Sequence, residues 1–351
     1  MGWIYLFLTL AAPIAGSVLL VCFFGGGFRE LKRERGGLVS LFKLKTKEGL
    51  VSQRLLWLVI IAPVLLAISL GMWVWADYVL DLSEEGFKKF GSISLLSFAV
   101  MSLALPLAGL VSKFHSTQQT AKQIEVVSFK NNLDAFYSHR KELIAYFAAI
   151  DDLLLFDVMK FEYKIHPVVH LRFFDGSPEE GWPTIHEPSF ESIRGNILSA
   201  GNSMLNMLNF KGSGELALMH YLQACDVIYK LAERLNIVEV FNGLAVSGVL
   251  IRTDGFDPVD GYNHWTIGTT GMHALGSLRF SLSFFNSLCD YAGVTRMNIP
   301  EHLGDVFDGA AKISSFVLIV GRLHTNEIAS LVTSGEATYD VYHPINKKPR
   351  L

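Results

Sequence analysis

The stretch LLWLVIIAPVLLAISLGMWVWA, Leu55 to Ala76, decides the reading of this chain, because 22 consecutive residues pass without one Asp, Glu, Lys, Arg or His. As an α-helix rising about 1.5 Å per residue, it covers about 33 Å, enough for a hydrocarbon core near 30 Å. Two further stretches of equal length share the property, Trp3 to Phe24 before it and Gly91 to Ser112 after it. The three together predict membrane spans at 3–24, 55–76 and 91–112. Apolar residues make up 50% of the chain and charged residues only 18%, and this excess is concentrated in the first third rather than spread through a core. The first stretch lacks a basic leader, and Gly25-Gly26-Gly27 follows it in place of a small-residue cleavage site. It therefore reads as a retained span, the alternative being a processed or interfacial segment that leaves two spans.

Charge sets the expected orientation. Between the first two stretches Arg29, Lys32, Arg33, Arg35, Lys43, Lys45, Lys47 and Arg54 outnumber Glu30, Glu34 and Glu48, which marks a cytoplasmic loop. The loop between the second and third carries Asp77, Asp81, Glu84 and Glu85 against Lys88 and Lys89, and Lys113 and Lys122 follow the third. Three spans then place the N-terminus in the periplasm and everything after Ser112 in the cytoplasm, with Trp3, Tyr5, Trp73, Trp75 and Tyr78 as an outer aromatic belt. Three widely spaced cysteines, Cys22, Cys225 and Cys289, fit a reducing compartment and no disulfide framework. The basic loop residues Arg29, Lys32, Arg33, Arg35, Lys43, Lys45 and Lys47 are candidate lipid or partner contacts, since the same charges serve anionic headgroups, a nucleic acid or an acidic protein. A net charge of −3 does not favour nucleic-acid binding by the whole surface.

No ionisable side chain lies within the spans, which argues against a pump or a dedicated transporter, because ion pathways carry such groups. Pro63 and Pro106 each remove a helical hydrogen bond, and Pro106, six residues before the exit from the membrane, is a hinge candidate or an ordinary membrane-helix kink. Ala104, Ala108 and Gly109 permit close helix packing, so the chain is a candidate homo-oligomer.

From Lys113 no Gly or Pro occurs until Pro167, and Ala121, Ile124, Val127, Leu133, Phe136, Tyr137, Ile144 and Phe147 recur at helical spacing. This predicts a juxtamembrane helical stalk over 113–165, either a signal-transmitting rod or simply a continuous exit from the bilayer. Beyond it, residues 166–351 alternate helical patterns with polar breaks such as Asp175-Gly176-Ser177-Pro178 and Gly212-Ser213-Gly214. The expected fold class is an all-α membrane protein, with N-terminal transmembrane helices in 1–112, the stalk, and a mostly α-helical cytoplasmic domain. The best helical patterns are Ile193 to Phe210, Glu215 to Asn236, Leu278 to Tyr291 and Gly309 to Ser334, while β-branched residues between Ile237 and Ile251 suggest a strand or two.

Within residues 113–143, His115, Gln118-Gln119, Lys122-Gln123-Ile124-Glu125, Asn131-Asn132 and the run Phe136-Tyr137-Ser138-His139-Arg140-Lys141-Glu142 resemble the membrane effectors of bacterial retron anti-phage systems. In that family a few N-terminal spans precede a helical cytoplasmic domain. The resemblance implies an inner-membrane toxin encoded with a reverse transcriptase and its noncoding RNA, silent while bound to that enzyme and its multicopy single-stranded DNA (msDNA). It brings no catalytic residues. Pro106, His115, Gln118, Gln119 and Lys122 are the candidate gating and stalk positions.

Motifs for chemistry are sparse. Gly212 and Gly214 lack the Lys-Ser/Thr of a phosphate loop, Gly268, Gly271 and Gly276 miss the dinucleotide fingerprint, and Ser247-Gly248 lacks the preceding glycine of a nucleophile elbow. His166 and His170 are four apart but straddle Pro167, which favours two hydrogen-bonded histidines over a zinc pair. Asp254, Asp257, Asp260 and His264 form the most suggestive acidic cluster, read as a solvated loop because the spacing misses that of a calcium loop. The expectation is therefore a non-enzyme without cofactor or metal, the alternatives being a membrane-anchored nuclease or hydrolase working through Asp254, Asp257 or His264, and a non-catalytic scaffold.

Overall fold

A computed structural model describes residues 2–24, 42–209, 214–244, 247–252, 263–308, 313–335 and 337–338. The protein is an all-α membrane protein with a few short strands, and it divides into two compact units, Met1–Lys130 and Asn131–Leu351. This boundary differs from the division at 112 and 165 expected from composition, which marks where the chain leaves lipid rather than where contacts thin out.

In the first unit, α1 (Gly2–Phe24) packs against α2 (Arg54–Trp75), which in turn packs on α4 (Leu95–Ser102). Val21, Cys22 and Leu58 form a small buried cluster at one end, and at the other the Tyr5 and Trp73 rings meet edge to face at 6.1 Å. Ser69 Oγ donates to the Thr9 carbonyl at 3.1 Å, a bond between two helices that water is not present to replace. Close approach is also set by Gly71: a Cβ there would collide with the Trp75 ring, which lies across it and donates from Nε1 to Ser94 Oγ at 2.8 Å. A cavity of about 350 Å3 lies among α1, α2 and α4, lined by Tyr5, Thr9, Leu70, Trp73 and Leu96. Its threonine hydroxyl donates to the Tyr5 carbonyl at 2.7 Å, so the lining is apolar in effect.

Three helices are long and apolar enough to cross a membrane: Ile4–Phe23, Arg54–Trp75 and a continuous run beginning at Leu95. The third differs in detail from the expected 91–112. Gly91, Ser92 and Ile93 belong to a separate amphipathic helix, α3 (Glu84–Ile93), and Ser94 turns the chain into α4. A second break at Leu103 separates α4 from α5 (Ala104–Ala148). Pro106 accounts for it. With no N–H to give the Ser102 carbonyl, Pro106 stands in the first turn of α5, next to the break, whereas Pro63 lies within α2.

α5 continues for 45 residues and ends at Ala148, short of the helix expected through 165. Asp151 and Asp152 follow its C-terminus, where negative charge opposes the helix dipole. Asp152 pairs with Lys160 at 2.6 Å across an antiparallel hairpin, β1 (Leu153–Leu155) with β2 (Met159–Phe161). Phe156 and Asp157 make its turn at φ of 56° and 58°, a left-handed conformation that carries no Gly-Pro signature in sequence.

In the second unit α6 (Pro167–Phe173) is followed by a two-stranded pair, β3 (Phe174–Asp175) with β4 (Thr184–Ile185). Long helices α7 (Glu187–Asn209) and α8 (Gly214–Leu235) pack along each other, and α9 (Gly271–Ala292) lies against both. Phe147, Phe190, Ile193, Tyr221, Ile228, Phe280, Phe284 and Phe285 fill the core between them. Gly201 lets α7 approach the short helix α10 (Gly304–Phe307), since a Cβ would stand 2.9 Å from the Phe307 ring. The pattern read from Gly309 to Ser334 is α11 (Ile313–Arg322), a π-helical turn at Leu323–Ile328 and α12 (Ala329–Ser334), residues 309–312 lying outside the described set. Among the described residues of the strand expected between Ile237 and Ile251, which exclude 245–246, it is the end that pairs as a strand. Glu239–Leu244 is π-helical, and β5 (Leu250–Arg252) is the centre of a three-stranded sheet with β6 (Asn263–Trp265) and β7 (Ala337–Thr338).

Candidate functional site

α5 carries two buried histidines, one in each unit. His139 falls on the stripe Phe136, His139, Leu143, Phe147, spaced three and four apart, so the periodicity that buries the phenylalanines buries the imidazole too. It is 5% exposed, and His170 of α6, at 1%, meets it with Nδ1 and Nε2 3.0 Å apart. Around the pair stand aromatic rings: Phe174 and Trp182 at 4.7 and 4.9 Å from His139, Tyr291 at 5.2 Å, and Phe136 at 5.4 Å from His170. The Tyr291 hydroxyl donates to the His139 carbonyl at 2.6 Å and so fixes α9 to α5.

Such surroundings disfavour charge. Burial lowers the His139 pKa, against an opposing pull from Glu142. Burial, and then the neighbouring His139 and Arg140, bring His170 down to about 4. At neutral pH both rings are uncharged, one donating and the other accepting, and His170 Nδ1 is left without a hydrogen-bond partner. Protonation adds charge where neither water nor a bonded carboxylate can meet it, so the pair is a joint between α5, α6 and α9 that acid would loosen.

His170 does not converge with His166, the partner suggested by sequence spacing. His166 caps α6, its Nδ1 accepting from the Val168 amide at 3.2 Å, while the helical turn carries His170 to the His139 side. The partner of His170 lies 31 residues away in sequence, a separation that no local motif encodes.

In the first unit His115 is 3% exposed, and neither of its ring nitrogens has a hydrogen-bond partner. One turn on, Gln119 Nε2 reaches the Thr46 carbonyl at 3.5 Å, tying α5 to the loop before α2. That loop is knotted by Gln53, whose side chain bonds the backbone of Lys45 in both directions at 2.9 Å. Gln118 is exposed, and Lys122 pairs with Glu125 at 2.7 Å on the surface. Of the basic loop, Lys43 and Lys47 are exposed and Lys45 pairs with Glu48 at 3.2 Å. Arg29, Lys32, Arg33 and Arg35 lie outside the described residues. The candidate positions thus fall into an inward set, His115 and Gln119, and an outward set, Gln118 and Lys122.

Of the acidic cluster, Asp254, Asp257 and Asp260 lie outside the described residues. His264, on β6, meets Asp226 of α8 with Nδ1 and Oδ2 2.6 Å apart, and this hydrogen bond raises its pKa. Among the described residues no group of three His, Cys, Asp or Glu side chains is placed to hold a metal ion. Cys225 and Cys289 are buried, and burial pushes their thiols up to about 12 and about 11, far from thiolate chemistry.

Comparison with protein-family models, with curated proteins and with solved structures found no match.

Proposed function

We propose that this protein is a membrane effector of a bacterial retron antiviral system acting by abortive infection. In this reading a reverse transcriptase with its msDNA holds the protein inactive in the inner membrane, and phage infection releases it to permeabilise or depolarise that membrane. The observation that carries the reading is the pairing of three apolar stretches, 3–24, 55–76 and 91–112, free of Asp, Glu, Lys, Arg and His with one long helix, α5, that runs from the last of them into the second unit. A toxin that dissipates an ion gradient needs spans able to rearrange and a body that a partner can hold; it needs no bond-breaking centre. The likeness of residues 113–143 to that family supports the assignment, and the basic bias of 29–54 supports a cytoplasmic second unit and a periplasmic N-terminus. His115, buried without a hydrogen bond on α5, is where a rearrangement would gain most, since rotation of the helix would let its imidazole find a partner. A membrane-potential dye in bacteria expressing the chain with and without the neighbouring reverse transcriptase tests this. Depolarisation preceding death, suppressed by the neighbour, is the expected result. Killing at unchanged potential would exclude it.

A second reading, a membrane-anchored hydrolase, finds its support in the His264–Asp226 pair, since an aspartate that orients a histidine is part of many hydrolytic sites. Under the effector reading Asp226→Asn and His264→Gln leave toxicity intact; loss of toxicity in both, with the protein still in the membrane, would favour the enzyme.

A further inference from the structure

Between α2 and α4 the chain exposes apolar residues that are not part of any span. Val79 is 93% exposed, Leu80 86%, Leu82 73% and Phe87 63%, in a segment that also carries Asp77, Asp81, Glu84, Glu85, Lys88 and Lys89. α3 is sharply two-faced. At 100° per residue Phe87, Phe90 and Ile93 share one side, while Glu84, Glu85, Lys88, Lys89 and Ser92 share the other. Ser83 caps it, accepting from the Gly86 amide at 3.1 Å, and Asp81 accepts from the Ser83 amide at 2.9 Å.

We propose that α3, together with the Tyr78–Leu82 hook before it, is an interfacial element whose partner is the phospholipid monolayer at the face where α2 ends and α4 begins. Position carries the argument. Phe90 packs on Trp75 at 5.8 Å and on Phe98 at 6.0 Å, and Trp75 bonds Ser94, so α3 is fastened at the junction of two apolar membrane helices. α3 ends one residue, Ser94, before α4 begins, and Phe90 holds it on Trp75, so the ten-residue helix stays beside the ends of both apolar helices. In water the hook and Phe87 would be a standing cost, whereas at the headgroup boundary they enter the acyl layer and Lys88, Lys89 and the Tyr78 hydroxyl remain at phosphate depth. Lys88 pairs with Glu84 at 2.6 Å and Lys89 lies over the Tyr78 ring at 4.8 Å. Two glutamates balance the two lysines of α3 and the hook adds Asp81, so zwitterionic lipid suffices and an anionic headgroup is not required.

The proposal depends on α2 and the run from Leu95, α4 with the start of α5, crossing a membrane, not on the effector assignment. It is tested on the full chain in phosphatidylcholine vesicles, with a nitroxide label at Val79→Cys, Leu80→Cys, Phe87→Cys, Glu84→Cys or Lys88→Cys. Ile68→Cys in the middle of α2 is the lipid standard, and the native cysteines are buried. Collision with oxygen relative to a water-soluble nickel chelate should be several-fold higher at positions 79, 80 and 87 than at 84 and 88. Chelate access at 79, 80 and 87 equal to that at 84 would put the hook in water and overturn the proposal. Shielding of the same positions from both colliders, with spin–spin broadening, would put a second copy there and overturn it equally. Chelate access at Ile68 would remove the membrane premise itself, so the two failures are distinguishable.

Discussion

The two units spend the same kinds of side chain in opposite ways. In Met1–Lys130 most large apolar residues face outward, Phe7, Leu105 and Phe114 among them, and beside the small Val21–Cys22–Leu58 cluster many buried positions are small or polar, such as Ser17, Ala67, Gly71, Ser94, Ser97 and Ala104. In Asn131–Leu351 the large rings are inside, with Phe147, Phe190, Phe280, Phe284 and Phe285 at the centre of the core. Solvent is the reason. Lipid tails are as apolar as a leucine, so burying large residues between spans gains little, and backbones close in over small ones. Water drives the rings of the second unit together.

This contrast can be broken most directly at one residue in each unit. Phe284→Ala leaves a hole between α9, Phe147 of α5 and Tyr163 just after β2 and should destabilise the second unit by about 3–5 kcal/mol, whereas Leu105→Ala on the lipid face of α5 should change unfolding in detergent by less than about 0.5 kcal/mol. Chemical denaturation of the two variants measures both, and equal losses would mean Leu105 is covered by protein.

Acid should also act on the second unit. The His139–His170 pair has its folded pKa values below the ordinary 6.5, so its stability is complete above that pH and is lost as pH falls towards about 4. The loss should be on the order of 2–3 kcal/mol, followed by near-ultraviolet circular dichroism, and His170→Phe should reduce that limb, leaving the part due to His324, which burial also brings down to about 4. His264 carries the opposite sign: its raised pKa gives stability present below 6.5 and lost as pH rises through the folded value, an effect that Asp226→Asn should abolish.

Close packing sharpens the comparison at smaller scale. Gly201→Val drives a side chain into Phe307 and should lower the stability of the second unit by about 1–3 kcal/mol in the same denaturation assay. At the bottom of the range, Lys160→Gln opens the Asp152 pair at the hairpin, and because both side chains are largely exposed the change should not exceed about 1 kcal/mol and should shrink further in high salt.

How much of this could be read beforehand follows the range of the interaction concerned. Long uncharged runs, the helices α7, α8 and α9, and the aromatic ends Tyr5 and Trp73 are written in consecutive residues or in a period of 3.6, and the structure has them close to where the pattern puts them. The end of α5 at Ala148 was not legible from glycine and proline alone, because the hairpin turns on Phe156 and Asp157 at positive φ. His139 was half legible: its place on the Phe136–Phe147 stripe foretells burial, although nothing nearby names its partner.

The amino-acid order by itself determined that this protein meets lipid and that most of it is helical, because hydropathy and periodicity are sums over neighbours along one chain. Tertiary structure alone decided that His139 meets His170 rather than His166 meeting His170, and that Asp226 meets His264. Those outcomes depend on which surfaces of separate elements come within about 3 Å of one another, a distance at which hydrogen bonds and ring contacts act and which sequence spacing does not specify.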